Sequence, residues 1–454
     1  MPTQCSQEEL DFGSCGGRKL VGAFDGGAIT SNGGVVLLGA ADRSIRLTDR
    51  LAKCFRDLRL VGGITHTIAD LLRQRIFSLA LGYEDLIDHD QLRHDPALSA
   101  VLGKPGGRLA GKSTLNRLEH ADKIGQDRHH KFDHDGGAIE RLFVDVFLDA
   151  HCEPPIRIEI DLDATDDPLY GQQEGRHFHG YYDCYCYLPL YIFCGRHLLA
   201  AKLRTADKDA ADGAKEEIAR IIAQIRARWP HMEIILRADS GFARDDLMSW
   251  CEDNGIDYIF GLARNERLVR AIRRQLAQAR RESGRTKHAA RRFKILEGWE
   301  TRDSWSLPRR VIAKAEWTQG EANPRFLVTS LNWTDDARYL YEDLYCARGD
   351  MENRIKECQT DMFAGRTSAA SMRANQLRLW FAAFAYVLIC VLRRIVLSGT
   401  AMAVATCGTI RLKLLKIGAL VTTSVRRIMI AMASSCPYQD IFAHAHERLS
   451  AAAR

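Results

Sequence analysis

Pro154-Pro155-Ile156-Arg157-Ile158-Glu159-Ile160-Asp161-Leu162-Asp163-Ala164-Thr165 is the stretch that decides the fold. Its two prolines forbid continuation of any helix arriving from upstream. Beyond them Ile156, Ile158, Ile160 and Leu162 alternate with polar neighbours, the period of a half-buried strand. Immediately upstream the period is different: Ile139, Leu142, Phe143, Val146, Phe147 and Ala150 recur at three and four, as on one face of a helix.

Downstream, residues 185–193 and 198–203 read as two more strands. Ile218, Ile221, Ile222 and Ile225 mark a helix. After Pro230 come a strand at 233–236, a helix near 244–253 and a strand at 256–262. Three strands in a row, then helix, strand, helix and strand, predict a mixed α/β sheet with helices on its faces. Residues 1–152 read as a mainly helical domain after a short extended start. Ile68, Leu72, Ile76, Leu79 and Ala80 supply one amphipathic helix, and Asn32 is placed to cap another through 33–38. The α/β core occupies 153–266, and 267–334 reads as a basic and β-rich insertion, with strands near 293–296, 311–317 and 326–331. Two long helices follow, near 335–363 and 371–397, so the core resumes over 335–397. Residues 398–454 hold an expected hairpin near 410–425 and a last helix near 439–453.

Length and composition agree with that division. A chain of 454 residues leaves room for two to four domains, and 46% hydrophobic residues exclude a disordered chain. Against 64 Lys and Arg stand 58 Asp and Glu, a net charge of +6. This excludes a histone-like basic coat but suits an anionic partner if the cations cluster. They do: residues 267–294 hold 11 Lys or Arg and one acid, Glu282. Such a run favours nucleic-acid contact over a merely solvated helix face. The polar opening and 13 cysteines without a CxxC pair suggest free thiols in a reducing cytoplasm. Cys184 and Cys186, with His177 and His179 upstream, read as strand residues more than as zinc ligands. The longest uncharged apolar run, 379–392, is too short to span a bilayer and reads as a buried helix.

Gly106-x4-Gly111-Lys112-Ser113 satisfies the phosphate-cradling P-loop pattern, but such a loop needs a hydrophobic strand entering it. Asp95-Pro96 instead opens a helix there. Ser113 to Leu118 better fits a short helix whose Arg117 meets DNA phosphates.

The other constellation is acidic. Asp161 and Asp163, two apart on a strand, share one face, and Asp239 ends the strand at 233–236. Carboxylates at strand ends converge on a crevice, and oxygen donors suit Mg²⁺. Taken singly, such residues more often make turns. At about 100° per residue, however, Tyr345, Arg348, Glu352 and Lys356 form one helical stripe. The bland alternative is a salt-bridge ladder; the sharper one is a metal-binding acid among phosphate-binding cations and an aromatic ring.

On these residues the chain resembles the DDE transposases of the RNase H-like superfamily. Asp163-Ala164-Thr165 looks like their first-aspartate motif, and Arg237-Ala238-Asp239-Ser240-Gly241-Phe242 looks like the second. Tyr345-x2-Arg348-x3-Glu352 matches the third motif of the IS4-related group. Gly82-Tyr83-Glu84-Asp85, Leu92-Arg93-His94-Asp95-Pro96, Thr114-Leu115-Asn116-Arg117-Leu118-Glu119, Gln172-Gln173-Glu174-Gly175 and the run from Arg348 to Glu357 extend the likeness to the IS1380 family of insertion-sequence transposases, over nearly the full length. The resemblance implies an RNase H-like sheet and cut-and-paste DNA strand cleavage and transfer. It makes Asp163, Asp239 and Glu352 the catalytic residues. They would hold two Mg²⁺ ions, with Mn²⁺ substituting and Asp161 a further candidate ligand. Tyr345, Arg348 and Lys356 would position phosphates or a flipped base. Arg117 would meet the terminal inverted repeats, and Arg270, Arg273, Arg274, Arg280 and Arg281 the DNA backbone. Partners would be double-stranded end and target DNA and a second copy of the chain, in the bacterial cytoplasm at the nucleoid, away from membranes. The sequence departs from the pattern at Gln359, where the IS4-type signature has Lys; Lys356 lies on the same face and is placed to take that role. A stand-alone RNase H-like nuclease, a P-loop NTPase using Gly106–Ser113 and a DNA-binding repressor remain as alternatives.

Overall fold

The structure, a computed structural model, describes residues 9–120, 131–301, 304–318 and 320–452. The chain divides into two compact units, one made of 1–52, 59–118 and 391–454, the other of 53–58 and 119–390.

In the first unit the helix Ile68–Ala80 begins where the sequence asks it to. Thr67 accepts the N–H of Asp70, while the Asp70 carboxylate answers the N–H of Thr67. Asn32 does not cap a helix as expected. The next helix starts later, at Val35–Ile45, without a side-chain cap, and the Asn32 amide donates to the Tyr83 hydroxyl and the Asp95 carboxylate. A Cβ on Gly34 would stand 1.9 Å from the Leu414 carbonyl oxygen, so only glycine admits that close backbone approach. The segment before Gly106 is the helix Pro96–Val101, capped by Asp95, and Lys112 pairs with Asp90 at 3.1 Å. The strand that a P-loop requires is therefore replaced by a helix. The expected hairpin at 410–425 is displaced along the chain. Residues 407–415 are helical, and the paired strands are Ala419–Thr423 and Ile428–Met432.

The second unit carries the sheet. In chain order its elements are helix α1 (Gly136–Asp149) and strands β1 (Arg157–Ala164), β2 (His177–His179), β3 (Cys184–Tyr187), β4 (Leu190–Cys194) and β5 (His197–Lys202). Then come helix α2 (Ala214–Arg228), strand β6 (Glu233–Ala238), helix α3 (Asp245–Asp253) and strand β7 (Asp257–Leu262). Helix α4 (Arg273–Thr286) leads into strands β8 (Ala290–Trp299), β9 (Arg309–Thr318) and β10 (Arg325–Thr329). Helices α5 (Gly349–Lys356) and α6 (Met372–Val391) follow.

The sheet order is β5-β4-β1-β6-β7-β10-β9-β8. β1, β6 and β7 are parallel to their neighbours in that trio, while β4 and β5 fold back antiparallel. This is an RNase H-like mixed sheet flanked by helices. Strands β8 to β10, expected as an insertion apart from the core, join its sheet, β10 pairing antiparallel with β7. Residues 185–193 form two strands in different sheets, because the chain turns at Leu188-Pro189, where proline has no N–H for a ladder.

Strand alternation divides the sheet chemically. Ile158, Ile160 and Leu162 enter a core with Phe147 of α1, Ile218, Ile221 and Ile222 of α2, and Ile234 and Leu236 of β6. Burial of each such side chain contributes about 1.5–3 kcal/mol. The acidic positions of β1 therefore face the opposite side, where Ile235, Ile259, Leu340 and Leu344 pack. The helical run expected as one helix near 335–363 changes pitch: it widens over Leu340–Tyr345, tightens over Cys346–Arg348, becomes regular in α5 and widens again over Glu357–Asp361. The apolar run of α6 is long and hydrophobic enough to cross a membrane, but 83% of its most apolar window is buried, and Phe384 stacks on Phe143 with ring centres 4.2 Å apart.

Candidate active site

Strand β1 brings Asp163 to its carboxyl end, next to the start of the loop. One register step away β6 ends at Ala238, and Asp239 begins the turn that follows, its carboxylate accepting the N–H of Gly241 at 2.8 Å. Helix α5 supplies Glu352 and Lys356, and the tight turn before it supplies Arg348. All of these line one cleft of about 440 Å³, with Thr165, His179, Tyr181, Tyr182 and Gln359 among the other walls.

Arg348 stands between the acids. Its guanidinium reaches Asp163 Oδ2 and Glu352 Oε1, each at 3.4 Å. Burial pushes the Asp163 carboxyl up to about 6; Arg348 and the Ala164 N–H pull it down, and the charges of Asp239 and Glu352 push it further up. Burial, then the charges of Asp166, Asp163 and Asp239, push the Tyr182 hydroxyl up to about 12. The cleft is thus crowded with negative charge that one arginine only partly answers.

The predicted stripe is brought together, and although the Tyr345 ring does not line the cleft, its hydroxyl is within reach of Arg348 and of the Asp239 charge. Tyr345 packs beside Tyr341 on the face of the sheet that also carries the acidic positions of β1, and its hydroxyl lies against Gly261 of β7. Gln359, where a lysine was anticipated, lines the cleft and donates to the Asp166 carbonyl at 3.0 Å, so it ties α5's extension to the loop after β1.

Asp161 needs correction as a metal candidate. It shares the face of Asp163 but sits one step deeper in the sheet, fully buried, and both its oxygens accept from Arg237, at 2.6 and 2.9 Å. Its lone pairs are committed to that pair, and it does not line the cleft.

The basic residues lie away from these acids in sequence and element. Arg270, Arg273, Arg274, Arg280 and Arg281 are all exposed. Arg270 pairs with Glu266, and Arg280 lies over the Trp317 ring. Arg117 is exposed on the helix Lys112–Glu119, whose Leu115 and Leu118 are buried.

Two contributors escaped sequence reading. One is Gly261, where a Cβ would meet the Ser240 nitrogen at 2.8 Å and the Tyr345 hydroxyl at 2.9 Å; an isolated glycine inside an apolar strand was its only signal. The other is the Tyr181-Tyr182 pair, whose signal was two aromatics where a turn wants polar residues.

Whether the acids suit a divalent cation is a question of donor chemistry. Among the described residues no three His, Cys, Asp or Glu side chains stand close enough to form a closed ion cage. The donors are nevertheless three hard carboxylates in one cleft, and a neighbouring pair of them raises the proton affinity of Asp163. A hard divalent cation relieves that repulsion and fits the set.

Compared with known proteins, residues 12–454 match the family described as Transposase DDE domain group 1. No curated protein matches the chain. Among solved structures the chain is similar to the piggyBac transposase in a synaptic complex with hairpin DNA, determined by cryo-EM. The identity is 11%, the similarity covers 85% of this chain and 80% of that one, and the TM-score is 0.42.

Proposed function

The chain belongs to the transposase DDE domain group 1 family and is a DNA transposase, and from that premise we propose that it excises and inserts an insertion sequence of the IS1380 type by cut-and-paste. The observation that carries this reading is the convergence of Asp163, Asp239 and Glu352 on one cleft with Arg348 between them. These three carboxylates would hold two Mg²⁺ ions, with Mn²⁺ able to substitute. When bound, the ions supply an activated nucleophile and charge stabilisation for the leaving oxygen of a phosphodiester.

The rest falls to the chain's own side chains. Arg348 would exchange a carboxylate for a phosphate oxygen, since a guanidinium binds either in the same forked geometry. Lys356, exposed on the cleft wall, would hold a neighbouring phosphate as a point charge. Tyr345, through its hydroxyl beside Gly261 and the Asp239 turn, would position the second aspartate. The exposed arginines of α4 and its approach, Arg270, Arg273, Arg274, Arg280 and Arg281, would grip DNA backbone, and Arg117 the terminal inverted repeats. Target DNA would follow into the same cleft. Two ends must be held at once, so a homodimer at the nucleoid is the working form in this reading.

The test uses oligonucleotides carrying the inverted repeats that flank the gene. With Mg²⁺ the wild-type protein should nick and then join these ends. Asp163→Asn, Asp239→Asn and Glu352→Gln should each abolish both steps while sparing end binding. Retained Mg²⁺-dependent cleavage in any of them removes that residue from the site. Cleavage that ignores inverted repeats and never joins ends would instead describe a stand-alone RNase H-like nuclease.

A further inference from the structure

We propose that the tip of the β2–β3 hairpin is a base-stacking platform, on which Tyr181 receives the face of an unpaired nucleobase adjoining a phosphate held by Arg348 and Lys356. The inference rests on the reading of the cleft as a DNA-cleaving site.

The hairpin turn has four residues, 180–183. Gly180 leads it, and Asp183 closes it with φ at 54° and its N–H donated to the His179 carbonyl at 2.9 Å. Those two residues meet the conformational needs of the turn. Nothing in the turn calls for large rings at its two central positions, yet both are tyrosine. Tyr181 is 85% exposed, whereas Tyr182 is partly buried and stands perpendicular to it, with ring centres 5.0 Å apart and planes at 86°. Behind Tyr182 lies His179, at 4.9 Å. The outer ring thus stands against a second, which is itself packed on His179. Presenting a tyrosine ring to water forgoes the free energy of burying it, so an exposed ring at a cleft wall is suited to burial by a ligand.

Position and charge select the occupant. Tyr181, Tyr182 and His179 line the same cleft as Asp163, Asp239, Arg348, Glu352 and Lys356. A ring in that wall meets whatever adjoins the scissile phosphate, and on a polynucleotide that is a base. At about 440 Å³ the cleft has room for a base beside the scissile phosphate. A base reaches it only after leaving the helical stack. Tyr345 is excluded from this role, because its ring packs beside Tyr341 and does not line the cleft.

The experiment measures binding of the full-length protein, in EDTA, to two fluorescent probes: a blunt duplex of about 20 base pairs, and the same duplex with a tail of about five unpaired thymidines. Wild type should prefer the tailed probe. Tyr181→Ala should weaken binding of the tailed probe about tenfold, the scale of stacking one base on an aromatic ring, and leave the blunt probe unchanged. Tyr181→Phe should restore the preference, since the face and not the hydroxyl is used. Equal loss on both probes, no loss on the tailed one, or failure of phenylalanine to restore it overturns the platform. A wild-type protein that binds and cuts end DNA without preferring the tail overturns the platform alone. One that neither binds nor cuts DNA overturns the transposition reading and the platform with it.

Discussion

Arg237 donates to both carboxylate oxygens of Asp161, at 2.6 and 2.9 Å, across the β1–β6 register, so of two aspartates on one strand face only Asp163 is left for the cleft. Arg237 also donates to the Leu344 carbonyl at 2.9 Å, which ties the sheet to the helical run carrying Arg348 and Glu352. Asp161→Ala strands a buried guanidinium and should destabilise the protein by about 3–5 kcal/mol. Denaturant unfolding checks the loss. Divalent-ion affinity of the folded fraction should stay at the wild-type value, because Asp161 is a structural partner and not a ligand.

The raised Asp163 pKa makes ion binding proton-linked. At pH 6 the carboxyl is about half protonated, so binding a divalent cation should release roughly half a proton, falling towards none by pH 8. Calorimetry of Mg²⁺ binding in buffers of different ionisation enthalpy reads this directly. Asp163→Asn should remove the release near pH 6.

Gly261 is where β7 passes closest to the Asp239 turn. Gly261→Ala would put a methyl group 2.8 Å from the Ser240 nitrogen and 3.1 Å from the Asp239 carbonyl carbon, and backbone cannot swing aside as a long side chain can. A stability loss of about 1–3 kcal/mol is expected from overpacking. The diagnostic is a fall in strand cleavage larger than the fall in end binding, measured where the variant is still folded.

Asp167 sets a pH trend. It is buried, and burial, followed by the charge of Asp166, pushes it up to about 7. The folded protein therefore holds this proton where the unfolded chain has lost it, and stability falls as pH rises from about 4 to 7. Asp167→Asn should match wild type near pH 4 and exceed it at pH 8 by about 4 kcal/mol, at roughly 1.4 kcal/mol per pH unit. Melting curves at the two pH values decide it.

Arg273 and Arg274 are exposed on α4. Replacing both with Gln should weaken binding to duplex DNA of any sequence and flatten the salt dependence by about 0.9 per lost phosphate contact. An unchanged salt slope would move the DNA grip elsewhere.

Much of the core was legible because its signals are local. The alternation of Ile158, Ile160 and Leu162 sets β1 and its faces, and the isoleucines of α2 mark one helix side. The cleft residues Asp163, Asp239, Arg348, Glu352 and Lys356 could be named because strand ends and a helical stripe made them candidates, and the resemblance to the DDE motifs chose among the acids. What escaped depends on distant partners. Nothing near Asp161 announces that Arg237, in register on the next strand, will take both its oxygens. Asn32 carries a fitting cap side chain, but Tyr83 and Asp95 claim it. Strand pattern alone also cannot say which sheet a strand joins, and so the reading of 267–334 as a basic and β-rich insertion left the partner of β8 to β10 unassigned.

The pairing of β10 with β7 carries a further consequence. Val328 stands opposite Phe260, and Ala238, just before Asp239, stands opposite it on the other side. Deleting 267–334 would strip β7 to a bare, apolar edge that invites other chains to add to it. The chain therefore has no seam there along which the basic segment can be cut out or transplanted. It can be retuned residue by residue, but anything that twists α4 and its strands is felt, through the β10–β7 and β7–β6 ladders, at the carboxylate that follows β6.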